Sequence, residues 1–137
     1  MLDGPVEYVV VAGHSMDPHF ASGDLVIVKR VSQYHIGDVI AFKVPAGPNG
    51  TGGRVIHRIV GGSGVTGYEV KGDNRKSADL WHPKNTDVIG TVWVRLPHAA
   101  RIARLLRSPL VIASLAAGLI FALFLGAGTE DKKRREA

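Results

Sequence analysis

Residues 108–129 carry no charged side chain, and residues 110–125 are almost wholly Leu, Ile, Val, Ala and Phe. As a helix, this uncharged stretch rises about 33 Å, enough to cross a hydrocarbon layer of about 30 Å. The competing reading is a buried core helix. The chain has only 137 residues, and the roughly 100 that remain could not enclose a helix apolar on every side. Pro109 suits the first helical turn, and Gly126 with Gly128 suits the exit. One C-terminal transmembrane helix at 108–129 is therefore expected.

The flanks refine this. Arg101, Arg104 and Arg107 recur at helical spacing with Ile102, Leu105 and Leu106 between them. Residues 98–107 thus read as an amphipathic basic juxtamembrane segment, its arginines placed to snorkel toward membrane lipid; a plain helix extension is the alternative. Residues 130–137 read as a short, charged, disordered tail. Basic residues near the span tie, with Lys132, Lys133, Arg134 and Arg135 on one side and Arg95, Arg101, Arg104 and Arg107 on the other. Charge alone therefore sets no orientation. Residues 6–12 are short, contain Glu7 and lack a basic leader, so they do not read as a signal peptide.

Residues 1–97 have a different character. Short β-rich runs at 8–12, 25–31, 38–44, 54–60, 68–71 and 88–95 are separated by Gly-Asp, Pro and Gly clusters. Gly23-Asp24 and Gly37-Asp38 stand just before strands, as turn residues should. Residues 46–53 and 61–67 read as glycine-rich loops. No helical period of ten residues precedes Pro97, so this part is mostly β. The sequence has no cysteine, which excludes a disulfide scaffold, a zinc ribbon, an iron–sulfur site and a cysteine nucleophile. The formal charge of +5 is no nucleic-acid signal, because much of it flanks the span and no aromatic–basic interleaving appears.

Three places could carry chemistry. In Gly13-His14-Ser15-Met16-Asp17-Pro18, a serine follows a strand on a turn, where its hydroxyl can be held rigid and exposed. A plain turn serine fits the same pattern. His57 stands in Val55-Ile56-His57-Arg58-Ile59, where alternation puts Val55, His57 and Ile59 on one face and Ile56, Arg58 and Val60 on the other. It is either a hydrogen-bonded core histidine or a general base held neutral in a partly buried site. In Lys71-Gly72-Asp73-Asn74-Arg75-Lys76-Ser77-Ala78-Asp79, either aspartate could orient a histidine, or Asp73 could close an Asx turn and Asp79 be a surface charge. His14, His19, His35, His57, His82 and His98 are scattered without metal-ligand spacing, so no metal site is expected.

Taken in order, Gly-His-Ser-Met-Asp-Pro, Gly-Asp-Val-Ile-Ala-Phe, Val-Ile-His-Arg-Ile, Lys-Gly-Asp-Asn-Arg with Asp79, and Val-Ile-Gly-Thr-Val-Trp resemble signal peptidase I. The resemblance covers about residues 10–95. The common bacterial branch has lysine where this chain has His57, so the likeness is to the endoplasmic-reticulum and archaeal type, found also in some Gram-positive bacteria. It implies an antiparallel β-domain lying on the membrane and a serine endopeptidase removing signal peptides from secreted preproteins after small residues, with no cofactor. Ser15 matches the nucleophile, His57 the general base and Asp79 the acidic third member, with Asp73 a supporting carboxylate that shapes the loop. Met16, with Gly13 and His14, would stand in the substrate-binding region.

Three departures accompany the resemblance. Gly13 stands where many relatives carry a serine whose hydroxyl assists the oxyanion, and His14 stands where glycine or proline is usual. The N-terminal span common in relatives is not visible. A signal peptidase works on the far side of the membrane, so the resemblance implies a catalytic domain on the extracytoplasmic face of a single-pass cell-membrane protein. Accessory membrane subunits are left open. The alternatives are a maturation protease of related fold with a narrow substrate, whose relatives use a lysine base so that His57 counts against it, and an inactive membrane-tethered peptide-binding domain. A pH profile rising only through about 8–9 would point to a lysine base such as Lys71.

Overall fold

The computed structural model describes residues 4–48 and 50–135; residues 1–3, Asn49 in the expected loop at 46–53, and 136–137 of the expected tail lie outside them. The chain divides into two units, Met1–Ala100 and Arg101–Ala137.

The first unit is built on a six-stranded antiparallel sheet. Its strands are β1 (Val6–Val10), β2 (Leu25–Lys29), β3 (Val39–Lys43), β6 (Arg54–Ser63), β7 (Gly67–Lys71) and β8 (Val88–Leu96), in the order β1-β2-β8-β3-β6-β7. A separate two-stranded ribbon pairs β4 (Ala46–Gly47) with β5 (Gly50–Thr51) inside the stretch expected as loop.

Side-chain alternation builds a core on each face of this sheet. In β2, Val26 and Val28 are fully buried while their neighbours are only half-buried, the pattern of a strand covered on one face. Central β3 is buried on both. Its Val39 and Ala41 join one cluster with Val26, Val28, Met16 and Ile56, whereas Ile40 and Phe42 join another with Ile59, Val70 and Val88. Burial of a side chain such as Phe42 stabilises by about 1.5–3 kcal/mol. In β6, Ile56 goes to the first cluster while Ile59 and the half-buried Val55 go to the second, as the period-two reading requires.

Several boundaries differ from the sequence reading. β6 runs on through Ser63 instead of stopping at 60, because a register shift between Ile59 and Gly61 lets the glycines stay paired with β7. The hairpin is then closed by a short turn in which Ser63 and Thr66 hydroxyls bond at 2.7 Å. β1 lies two residues earlier than expected, because Val11 leaves it to bond Gly23 and Asp24.

Asp24 is fully buried. Its carboxylate accepts bonds from the Ala21 and His98 amides and from Arg95 Nε. Burial pushes its pKa up, but these donors outweigh burial and hold it below the ordinary 3.8. The chain leaving β8 is thereby tied back to the turn before β2.

Helix α1 (Ala99–Leu106) falls within residues 98–107 and has no buried residue. It starts just before the unit boundary, and Arg107 and Ser108 stand between it and the following helix. The Ser108 carbonyl accepts the first bond of α2 (Pro109–Arg135), with Pro109 opening it. Residues 109–126 are long and apolar enough to cross a membrane. The sequence reading ended this helix at 129 and left a disordered tail. Instead, α2 passes through both glycines to Arg135, since each costs only about 1 kcal/mol relative to alanine and Glu, Lys and Arg are good helix formers.

Candidate active site

Three residues after β1 the chain turns at Gly13, whose φ of +85° is left-handed and favours glycine. The following turn, with a cis Asp17–Pro18 bond, holds Ser15. It is gripped by the loop after β7. The Asn74 amide donates to the Ser15 carbonyl at 2.8 Å, the Asn74 side-chain amide donates to the His14 carbonyl at 3.0 Å, and the Asp73 amide points to Met16 Sδ at 3.4 Å. Met16 is 1% exposed and anchors the turn in the core.

The close approach of these loops depends on Gly72. A Cβ there would stand 2.5 Å from the Ser15 carbonyl oxygen, closer than a real side chain comes, and a tight 3.1 Å from His57 Nε2.

His57 lies mid-strand in β6, paired with Ile40 of β3. It is 5% exposed, with its ring edge-on to Phe42 at 6.5 Å between centroids. Its Nδ1 bonds the Asp79 carboxylate, and its Nε2 lies 3.0 Å from Ser15 Oγ. Asp79 is fixed in turn by its amide, which donates to the Val70 carbonyl at 2.8 Å. With Nδ1–H given to a carboxylate, Nε2 is left as acceptor for the serine hydroxyl. The three side chains therefore form a row in which a proton can pass from Ser15 to His57.

Asp73 is not in that row. Arg58 grips it with two bonds of 2.8 Å, and His19 Nδ1 lies 2.9 Å away. The Arg58 hydrogen bonds hold its pKa below the ordinary value despite burial, with His19 adding to the effect, and the same pair raises that of Arg58. Arg58 also donates to the Gly37 carbonyl. Asp73 thus ties the loop behind Ser15 to β6, on the side of the strand away from His57.

A cleft of about 460 Å³ opens at Ser15 and His57, walled by β1 and β6, by Arg75 and by residues 77–81. Val9, Val11, Met16, Val55 and Trp81 give it an apolar lining. Neither Gly13, His14 nor Lys71 lines it. The His14 ring instead bonds Asp17 at 2.9 Å, its side chain 78% exposed. Sequence reasoning gave no role to Arg58, Gly72 or Trp81. Only Gly72 had a local signal, a glycine directly before the polar loop.

Fold and site together define a class: an antiparallel β-domain with a serine–histidine–aspartate row in a cleft, followed by an apolar helix long enough to span a membrane. The chain belongs to the family described as signal peptidase, peptidase S26, whose profile matches residues 4–77. That match includes Ser15, His57 and Asp73 and stops short of Asp79. The chain is 30% identical over 115 residues to the signal peptidase complex catalytic subunit SEC11 of Komagataella phaffii, covering 72% of this chain and 65% of that one. The SEC11 subunit of Clavispora lusitaniae is 31% identical over 110 residues, covering 72% and 64%. That of Pyrenophora tritici-repentis is 29% identical over 113 residues, covering 76% and 65%. The chain thus spans slightly less than two thirds of the length of these curated relatives.

Proposed function

We propose that this protein is a membrane-bound serine endopeptidase that removes signal peptides from preproteins, with Ser15 as nucleophile, His57 as general base and Asp79 as the acid that orients it. The observation that carries this reading is the 3.0 Å approach of Ser15 Oγ to His57 Nε2 while Nδ1 is held by Asp79. As Oγ attacks the scissile carbonyl carbon, His57 takes its proton, and Asp79 stabilises the imidazolium. The carbonyl oxygen becomes an oxyanion. The Ser15 amide, which has no acceptor among the described residues, is a backbone donor free to stabilise it. Collapse breaks the C–N bond, and His57 delivers its proton to the leaving amine. Water then gives a proton to His57 as it attacks the ester carbon; the C–Oγ bond breaks, the acid leaves, and His57 returns the proton to Ser15 Oγ.

The cleft suits an extended peptide with small residues at the −1 and −3 positions. β1 is an edge strand, so a substrate can pair with its outer backbone as an added strand. The glycine at position 13 leaves out the hydroxyl that many relatives place beside the oxyanion. The working location is the extracytoplasmic face of the cell membrane, with α2 as anchor.

The test is cleavage of a preprotein with an alanine site by the full chain in reconstituted membranes, beside Ser15→Ala. Cleavage after the small −1 residue that vanishes in the variant is expected. Cleavage by both, or by neither with the fold intact, refutes the proposal.

A further inference from the structure

Resting on that function, the charges around the cleft point to what it selects. Each carboxylate near the cleft is already engaged. Asp79 holds His57, Asp73 holds Arg58 and His19, and Glu7 on β1 bridges to Arg54 on β6 at 3.1 Å. Of the two arginines lining the cleft, Arg54 is neutralised in this way. Arg75 is not: its guanidinium has no ion pair or hydrogen bond among the described residues.

Arg75 also has a fixed root. Its amide donates to the Gly72 carbonyl at 2.9 Å, closing the turn of the loop. The point where a Gly72 Cβ would stand is 2.9 Å from Arg75 Cγ, 3.1 Å from His57 Nε2 and 2.5 Å from the Ser15 carbonyl. The side chain therefore starts beside the catalytic row, and Arg75 lines the cleft in which a peptide would lie.

We propose that Arg75 is a specificity-determining residue that favours substrates with a carboxylate side chain next to the scissile bond. A guanidinium already held at its root forms charge-assisted bonds with a carboxylate at little further cost in order. The same charge disfavours a lysine or arginine at that position. The gain is that of a partly exposed pair, about three- to fivefold in kcat/KM, and falls with added salt.

The experiment uses the full reconstituted chain and alanine-site peptides that carry Glu, Gln or Lys singly at the −2, +1 or +2 position. At one position or more, the wild type is expected to prefer Glu over Gln about three- to fivefold, and Gln over Lys, with the preference shrinking at high salt. Arg75→Gln should bring the Glu/Gln ratio to about one, and Arg75→Glu should reverse the Glu/Lys order. Equal cleavage of all peptides by the wild type overturns the inference while leaving the proposed function standing. So does a preference that survives both variants. If even the Gln peptides show no Ser15-dependent cleavage, the proposed function falls and this inference with it.

Discussion

Asp73 and Asp79 stand six positions apart in one loop, yet opposite consequences are expected from removing their charges. In Asp79→Asn, the side-chain amide would donate to His57 Nδ1, so the imidazole would carry its proton on Nε2 and could not accept one from Ser15. A wrong tautomer of this kind in a serine–histidine–aspartate row costs roughly 10⁴ in kcat. The hydrogen bond itself survives with reversed polarity, so stability should change little. In Asp73→Asn, Arg58 loses a carboxylate that takes two 2.8 Å bonds and is only 12% exposed. Charge-assisted bonds contribute about 1.5–3 kcal/mol. Because Arg58 is about one-third exposed, a net loss of about 2 kcal/mol is expected. For a domain near 100 residues this lowers the melting temperature by about 8–16 °C, while activity below the melt falls far less than in the other variant. Thermal melts of the full chain in detergent and turnover of an alanine-site peptide read both quantities. A catalytically dead Asp73→Asn of normal stability, beside an active Asp79→Asn, would refute the assignment.

Other outcomes follow from the same geometry. Gly72→Ala should abolish turnover by pushing the Ser15 carbonyl and His57 apart, whereas Gly118→Ala in α2, where an added Cβ meets nothing within 4 Å, should still cleave; equal activity of both would show that the close approach does not matter. Asp24 and Asp73 both have folded-state pKa values below the ordinary 3.8, so the folded state binds fewer protons than the unfolded one. Their stabilisation is present above that value and lost as pH falls through the lower folded values. Asp73→Asn should therefore flatten acid unfolding monitored by tryptophan fluorescence, and an unchanged acid profile would contradict this. Phe42→Ala should cost about 3–5 kcal/mol in denaturant unfolding, because the ring is fully buried beside His57. For topology, a cysteine at the exposed Ser63 should react with an impermeant maleimide on intact cells; labelling only after lysis would place the domain in the cytoplasm.

Much of the architecture was local enough to read from the chain. A continuous uncharged apolar run can satisfy its backbone in lipid only as a helix, so residues 109–126 declare themselves. Period-two alternation around Val26 and Val28 likewise marks a strand, and the Gly-Asp pairs mark its turns. The local signals failed where the competing states differ by little. Gly126 and Gly128 permit a helix exit without forcing one, and Gly61 and Gly62 can leave a strand or bulge within it.

The site separates the two sources more sharply. Residue order and the family resemblance singled out Ser15, His57 and the loop containing Asp73 and Asp79. Which aspartate meets His57 depends on sheet pairing, because β6 turns His57 and Arg58 to opposite sides and each takes a different carboxylate. Likewise, nothing adjacent to Gly72 in the chain requires glycine. The requirement comes from Ser15 and His57, brought against it from 57 and 15 residues away. Sequence alone determines which residue types are available and the local conformations they prefer. Contacts between distant segments, set by burial and strand register, decide which of those residues meet.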